Sequence, residues 1–514
     1  MSNTNNKTIA KNTVYLYFRM MVTIAISLYT SRIVLKILGI NDFGIYQSVG
    51  GVVGLLSFLN GALATGSSRF LTFELGRGDF NKLRRTFSTI VTAHLILALG
   101  ILVISETIGL WFVYNKLVIP AERFDAALVA YHLSILAAVI HLMQVPFNAT
   151  IISHEKMGIY AYGGIADVVL KLAIVYMLSI GGIDKLVLYS ILMCLVTLTM
   201  SLFYFFYCTK SFKETRTRLL FDKKIMKDVL GYSMWNLFAN SAIALKNQGS
   251  IILLNMFFSP GVVTARAVAN QVNLAAYHFI TNFRTAATPQ IVKRYAIEDY
   301  EGSKSLLLYS TKYSYYLMLL MALPIFCVAP QLLKIWLGQV PPYSVIFLQL
   351  TIVCSLFHVF DSSFYTALYA KGQIRENALI SPTILFICFP IVYLLFRAGF
   401  PPETYAWASL ISYAILALLV KPLLIIKIVD YTWKDIFSVF YPCLKVTVLS
   451  CIIPLVLYYR GVFDESILGR FCLLVLVSVA CVFIAVWTVG VSSSERIKFL
   501  SYVRTRFKRG NSLT

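Results

Sequence analysis

Five polar residues recur along one apolar stretch at spacings that place them on a single helix face. Arg266, Asn270, Asn273, Tyr277 and Arg284 follow one another at intervals of four, three, four and seven residues. At about 100° per residue this spacing gives one narrow stripe. Charged and amide groups are costly in hydrocarbon, so the stripe is predicted to face protein or water. Guanidinium groups bind phosphate oxygens bidentately, which suits an anionic ligand.

Further basic and amide side chains stand in two other apolar stretches. The first stretch, 12–37, contains Arg19 and Arg32, and the second, 231–257, contains Asn240, Lys246 and Asn247. No Asp or Glu occurs in these two stretches or in 262–288. A cavity lined by them would be cationic and would attract a phosphate or another anion. The predicted substrate-binding residues are therefore Arg19, Arg32, Asn240, Lys246, Asn247, Arg266, Asn270, Asn273, Tyr277 and Arg284.

Two simpler interpretations compete with a binding role. Polar groups in apolar helices also join neighbouring helices by hydrogen bonds, and long basic side chains near a helix end reach back to the headgroups. The second interpretation applies to Lys36, and also to Arg32 and Arg284. Asp167 and Lys171, four residues apart, are predicted to form a structural ion pair. Glu106 and Asp361 appear as isolated acids.

The elements that position these residues are membrane-spanning helices. Hydrophobic residues make up 59% of the 514 residues and charged residues only 13%, against about a quarter charged in an ordinary globular chain. Runs of roughly 20 apolar residues, enough to cross a bilayer as helix, recur about 14 times. The predicted fold class is an all-α polytopic membrane protein. The runs lie at 12–37, 44–66, 87–113, 126–152, 158–180, 186–208, 231–257, 262–288, 306–333, 343–369, 377–398, 404–427, 442–460 and 469–491.

The distribution of basic residues predicts the orientation. With both termini cytoplasmic, well over half of the 45 Lys and Arg residues fall in cytoplasmic tails and loops. This is the positive-inside pattern. The net charge of +22 therefore reflects topology and does not indicate a nucleic-acid partner. The basic C-terminal tail is interpreted as a solvated stop signal that follows the same orientation rule, with contact to anionic lipid headgroups as the alternative.

An internal repeat divides the chain. Aligning the sequence with itself so that Asp79 meets Asp299 brings the first two spans onto the seventh and eighth. Six spans per half make a parallel repeat, whose substrate site is expected between the halves. The predicted divisions are an N-terminal lobe, 1–209, a basic cytoplasmic linker, 210–230, a C-terminal lobe, 231–428, two extra spans, 429–491, and a basic tail, 492–514.

The sequence offers no metal, cofactor or catalytic site. The nine cysteines form no CxxC pair and lie in or beside the apolar runs, which is typical of buried packing residues. The outer loops, such as 115–124 and 461–468, are short and carry no paired carboxylates suited to acid–base catalysis. We therefore expect a protein that is not an enzyme.

Two segments resemble a known group. The stretch LYTSRIVLKILGINDFGIYQSVGGVVGLLSFLNGALATGSSRFLTFELGRGDF, from Leu28 to Phe80, is similar to the N-terminal signature of Wzx-type oligosaccharide flippases of bacterial polysaccharide biosynthesis. The stretch VPFNATIISHEKMGIYAY, from Val145 to Tyr162, is similar to a second segment of that group. The layout of two six-helix lobes with two extra spans extends the resemblance over nearly the whole chain.

The resemblance implies membership of the multidrug/oligosaccharidyl-lipid/polysaccharide exporter superfamily, whose two lobes alternate between inward-open and outward-open states. It also implies a location in the bacterial cytoplasmic membrane. The expected cargo is an undecaprenyl-diphosphate-linked glycan for O-antigen, capsule or exopolysaccharide. The expected partners are membrane lipids and polysaccharide polymerase or export machinery. In related peptidoglycan-precursor flippases, arginines of the first and eighth helices line the cavity, and Arg19 and Arg266 occupy broadly comparable places.

Two other functions remain open at this stage. An ion-coupled drug or metabolite antiporter of the same superfamily typically uses an acid in its first helix, whereas 12–37 contains none. A membrane glycan polymerase is disfavoured by the short outer loops. The favoured mechanism moves the diphosphate from Arg19 and Arg284, past Lys246 and the asparagines, towards Arg266 and Arg32.

Overall fold

The fold is known from a computed structural model of the full chain. It describes residues 2–178, 182–216, 220–227, 241, 244–460, 467–492 and 495–496, with the side chains of 2–17, 57, 58, 62, 65, 246, 282, 285, 286 and 289 outside the description. The secondary structure of the described residues consists of helices, and these residues contain no β-strand. They divide into two compact units. Unit 1 comprises Met1–Ala267 and Phe389–Pro402, and unit 2 comprises Val268–Cys388 and Glu403–Thr514.

Unit 1 begins with long helices joined by short breaks. Its π-helical segments are Ser105–Gly109 and Leu245–Gly249. Leu63, Ala98, Ile101 and Leu142 form a small buried cluster within it. Its α-helices are α1 Ser2–Gly54, α2 Phe58–Arg77, α3 Phe80–Ile104, α4 Leu110–Lys116, α5 Phe124–Ser153, α6 Met157–Met177, α7 Lys185–Ser211 and α8 Ser250–Phe257.

Unit 2 contains most of the remaining helices, with α9 crossing from unit 1 into unit 2 and α12 crossing back into unit 1. Aromatic and aliphatic side chains from several helices fill its core, Leu319, Phe360, Phe364 and Ile436 among them. The helices are α9 Pro260–Ala296, α10 Tyr300–Leu337, α11 Ser344–Lys371, α12 Arg375–Arg397, α13 Thr404–Ile415, α14 Lys421–Val429, α15 Trp433–Arg460 and α16 Ile467–Ala485.

A glycine divides α1 into two arms. Gly39 has φ 78° and ψ 172°, which lies outside helical geometry and in a region that glycine alone adopts readily. The break falls between the predicted spans 12–37 and 44–66. The first two spans are therefore joined at a kink in one long element, and the second continues through the 3₁₀ turn Leu55–Ser57 into α2.

Eleven helices of the described residues are long and apolar enough to cross a membrane, which makes the chain a multi-pass membrane protein. One of them, Phe18–Gly54, contains most of the first predicted span, 12–37, and about the first half of the second, 44–66. The predicted span 231–257 lies partly outside the described residues. The predicted span 262–288 lies within the helix α9, where the polar stripe interrupts the apolar sequence but not the helix. The count of about 14 spans stays a prediction.

The two positions paired by the repeat share one local structure. Asp79 begins α3, and its carboxylate accepts a hydrogen bond from the Lys82 amide at 3.0 Å. Asp299 begins α10 and accepts from the Gly302 amide at 2.9 Å. The residue before each aspartate has positive φ, 74° at Gly78 and 63° at Glu298. A left-handed residue followed by an N-cap aspartate thus turns the chain at equivalent places in the two halves.

One arginine of unit 1 joins three segments of the chain. Arg123 precedes α5 and donates from Nε and Nη2 to the carboxylate of Asp42 in α1, at 2.9 and 2.6 Å. It also binds both carboxylate oxygens of Asp184, which caps α7. Bidentate pairs of this kind fix geometry as well as charge.

Candidate functional site

The stripe on α9 is hydrogen-bonded to α11 within unit 2. Asn273 Oδ1 accepts from Ser355 Oγ at 2.6 Å, and Tyr277 Oη lies 3.1 Å from Ser362 Oγ. The guanidinium of Arg284 donates to the backbone carbonyl of Ser362. The prediction that the stripe faces protein or water is confirmed for these three side chains.

These contacts are also what the helix-joining interpretation expects. The partners of Asn273, Tyr277 and Arg284 on α11 are hydroxyls and a carbonyl, all of them neutral. A carbonyl dipole satisfies a guanidinium donor but leaves its unit charge in place. The stripe therefore joins two helices, and it includes a basic side chain of the kind that suits an anionic ligand.

Beside the stripe lies a buried group of charges that the sequence analysis missed. Lys421, at the start of α14, is 2% exposed. Its ammonium lies 3.0 Å from Asp361 Oδ1 and donates to Asn377 Oδ1. The ring of His358 is stacked on Tyr277 at 4.8 Å, and its Nε2 lies 4.0 Å from Asp361 Oδ2. Through Tyr277 and His358 the stripe is thus in contact with a buried ion pair.

The interpretation of Asp361 as an isolated acid is wrong, because its partner stands 60 residues away in the sequence, on a different helix. A signal was present, since Lys421 is the one charge in the apolar run AILALLVKPLLII. A lone lysine in a membrane span predicts a buried counter-charge. Glu106 is likewise not isolated, because its carboxylate lies 3.0 Å from His132 Nδ1.

Arg19 occupies a distinct place in unit 1, against one face of α6. Its guanidinium carbon lies 4.6 Å from the centroid of the Tyr160 ring. The stem passes Gly164 so closely that a Cβ there would lie 2.9 Å from Arg19 Cδ. Asp167 and Lys171 follow on the same face of the helix, and their predicted ion pair is confirmed at 2.7 Å. Arg19 is therefore held against α6 by an aromatic face and by the close approach of a glycine.

The remaining predicted residues are placed as follows. Arg32 is exposed on α1, Asn270 is half-buried on α9, and Asn247 is exposed in the π-helical segment. Arg266 is buried, with 7% of its surface exposed, and belongs to unit 1. The backbone of Lys246 lies in Leu245–Gly249, whereas its side chain and all of Asn240 fall outside the described residues.

Solved structures with a similar fold are membrane transporters. A lipid II flippase, MurJ, in an inward-closed conformation matches with a TM-score of 0.70 and 12% identity, covering 93% of this chain and 98% of that one. A multidrug resistance MATE family transporter of the MOP superfamily, in an inward-facing conformation, matches with a TM-score of 0.64 and 14% sequence identity. This match covers 80% of this chain and 99% of that one. A MOP superfamily transporter from Pyrococcus furiosus matches with a TM-score of 0.55 and 17% sequence identity, covering 82% of this chain and 97% of that one.

These likenesses show that the chain shares an all-helical fold with these proteins, and their identities of 12–17% carry neither a family nor a substrate to it. No protein-family model matches the sequence. No curated protein matches it either.

Proposed function

We propose that the chain is a flippase that moves an undecaprenyl-diphosphate-linked oligosaccharide from the inner to the outer leaflet of the bacterial cytoplasmic membrane. The observation that carries the proposal is the state of its intramembrane arginines. Arg19 lies against an aromatic ring, and Arg284 donates to a backbone carbonyl. Both side chains carry guanidinium groups, and a guanidinium suits phosphate oxygens in particular.

The fold and the sequence support the same proposal. The match to the lipid II flippase covers 93% of this chain, and lipid II is the cargo that the name of that protein gives. The segments Leu28–Phe80 and Val145–Tyr162 resemble oligosaccharide flippases. In the proposed mechanism the diphosphate contacts Arg19 and Arg284 in turn, as the two units change state by alternating access. The hydrocarbon tail remains in the bilayer.

The test is lipid extraction from a strain that lacks this gene and keeps the upstream glycan pathway. Accumulation of undecaprenyl-diphosphate glycan accessible from the cytoplasmic face alone is the expected result, and its mass identifies the cargo. Complementation with Arg19→Gln should fail, and Arg19→Lys, which keeps the charge, should restore part of the flux. Full complementation by R19Q at normal protein levels would contradict the role of the cation.

A second candidate function is an ion-coupled drug or metabolite antiporter. The buried group of Asp361, Lys421 and His358 favours it, because ionisable groups inside membrane proteins often serve as ion or proton relays. The MATE transporters share the fold as well. Unchanged undecaprenyl-linked intermediates in the deletion strain, together with new sensitivity to cationic drugs, would support this function and contradict the flippase.

A further inference from the structure

Unit 1 contains a cavity that none of the predicted site residues explains. The cavity has a volume of about 410 Å³, and its lining combines apolar surface, which is the larger part, with neutral hydrogen-bonding side chains. Pockets of ~300–1,000 Å³ are typical of small-molecule sites. The polar groups of its wall are those of Gln47, Asn60, Ser134, His141, Thr197 and Gln248.

One acceptor in the wall has no partner. The amide nitrogen of Asn60 lies 3.3 Å from His141 Nδ1. Its Oδ1 is buried and accepts no hydrogen bond from the described residues. This oxygen is closed to water, so a ligand hydroxyl would bind the other polar groups that line the cavity. The chemistry of the wall is that of a site for hydroxyl-rich, uncharged groups.

An apolar crevice of about 380 Å³ adjoins this cavity within unit 1. Leu56 lines both spaces, and Gln248 of the cavity precedes Gly249 of the crevice. Almost all of the crevice lining is apolar, and Ile104 and Ile108 in its wall are 45% and 66% exposed. In a membrane-spanning chain such exposed isoleucines meet hydrocarbon, so the crevice opens towards the bilayer.

Two π-helical segments contribute to the crevice wall. Ser105–Gly109 interrupts the helix that begins at Phe80, and Leu245–Gly249 precedes α8. Both contribute lining residues. Single-turn π segments are rare and occur disproportionately at functional sites. Two further π segments among the described residues, Leu416–Val420 and Val486–Gly490, lie in unit 2, and the presence of two such segments at one crevice distinguishes this place from the others.

We propose that this composite space binds the lipid-linked saccharide, with the first sugar in the cavity and the adjoining isoprenoid segment in the apolar crevice. The inference rests on the proposed function and adds to it a saccharide subsite and a tail subsite. The neutral wall favours sugar hydroxyls over the charged headgroup of a phospholipid. The diphosphate joins sugar to tail and therefore passes the junction at Gln248, two residues from Lys246.

Two variants separate the subsites. Asn60→Leu keeps the size of the side chain and removes its hydrogen bonds. Ile108→Trp enlarges an exposed side chain at the mouth of the crevice, and Ile96→Trp, on an equally lipid-facing residue of α3, is the matched control. The probes are undecaprenyl diphosphate bearing one N-acetylhexosamine, undecaprenyl diphosphate alone, and phosphatidylglycerol as competitor. Affinities are measured on the purified full-length protein in lipid nanodiscs.

The expected results differ for each variant. N60L weakens binding of the sugar-bearing lipid about fivefold, as for one lost hydrogen bond, and leaves the sugar-free lipid unchanged. I108W weakens the binding of both undecaprenyl lipids about tenfold, as expected when one or two methylene groups are no longer buried. I96W binds both as the wild type does. A diazirine on the isoprenoid chain nearest the diphosphate should label Phe112 or Met256 in the wild-type protein, a readout that needs no variant.

Several results would overturn the proposal. They are wild-type affinities in both N60L and I108W, labelling confined to residues outside the crevice, or equal competition by phosphatidylglycerol, which would make an ordinary lipid the occupant. Each leaves the flippase function standing, provided that the wild type binds and transports the sugar-bearing probe. Failure of the wild-type protein to bind either undecaprenyl lipid would instead refute the proposed function itself.

Discussion

Removing one partner of the buried pair Lys421–Asp361 should destabilise unit 2 more than any single surface change. The charges are 3.0 Å apart, with side chains 3% and 15% exposed. At an effective dielectric constant of about 20, unit charges at this distance attract by about 5.5 kcal/mol. Desolvation offsets part of this in the native protein. A single substitution removes the attraction and keeps the penalty, so Lys421→Met and Asp361→Asn should each cost about 3–5 kcal/mol.

The assay is equilibrium unfolding in mixed detergent micelles, followed by tryptophan fluorescence, for both single variants and the double variant. The double variant K421M/D361N should recover to within about 1–2 kcal/mol of wild type, because no uncompensated charge then remains buried. Glu301→Gln is the control, since the Glu301 side chain is 89% exposed and lies 3.8 Å from Lys304 Nζ. An exposed ion pair of this kind contributes about 0–1 kcal/mol to stability. Wild-type stability of K421M alone, or strict additivity of the two costs, would refute the reasoning.

Three further predictions concern other parts of the chain. The hydrogen bonds from Arg123 hold the pKa of Asp184 below its ordinary 3.8. Their contribution to the free energy of unfolding is therefore complete above about pH 3.8 and is lost as pH falls through the lowered pKa. Asp184→Asn should cost about 0.5–1 kcal/mol of stability at pH 7, and urea unfolding at several pH values should show the difference from wild type vanishing at low pH. Glu298→Gly should raise the melting temperature, since a left-handed residue other than glycine costs about 1 kcal/mol. Gly164→Val should displace Arg19 from the ring beneath it and reduce flux in the complementation assay by at least about tenfold, with little change in melting temperature.

Each of these has a control and a result that would contradict it. For D184N, a constant difference from wild type between pH 7 and pH 3 would show that the carboxylate charge is irrelevant. For E298G, the partner change Gly78→Ala should lower the melting temperature, and equal responses of both sites would contradict the conformational argument. For G164V, normal flux at normal protein levels would show that the position of Arg19 does not matter.

Helices and their stripes could be predicted from the sequence because the bilayer leaves few alternatives. Apolar runs must become helices, and a helix converts regular spacing into a face. The stripe through Asn273, Tyr277 and Arg284 was found in this way, and so was the pair Asp167–Lys171. Both depend on positions along one helix.

What could not be predicted depends on which helices are neighbours. The partners Asp361 and Lys421 stand on different helices, and no spacing rule joins them. The kink at Gly39 depends on a backbone conformation that glycine permits but does not dictate. The cavity containing Asn60 and Gln248 combines residues far apart in sequence, all of them neutral, and a search for intramembrane charge passes over neutral groups.

The pairing of Lys421 with Asp361 has an electrical consequence. The pair carries no net charge, so displacing it along the membrane normal does no work against the transmembrane potential. Arg284 faces a carbonyl dipole and carries its full charge with it, at a work of about 2.3 kcal/mol for each charge that crosses 100 mV. Under the proposed function, a bound diphosphate with two negative charges would reverse the sign of this single charge. The voltage would then act on the empty and the loaded protein in opposite directions.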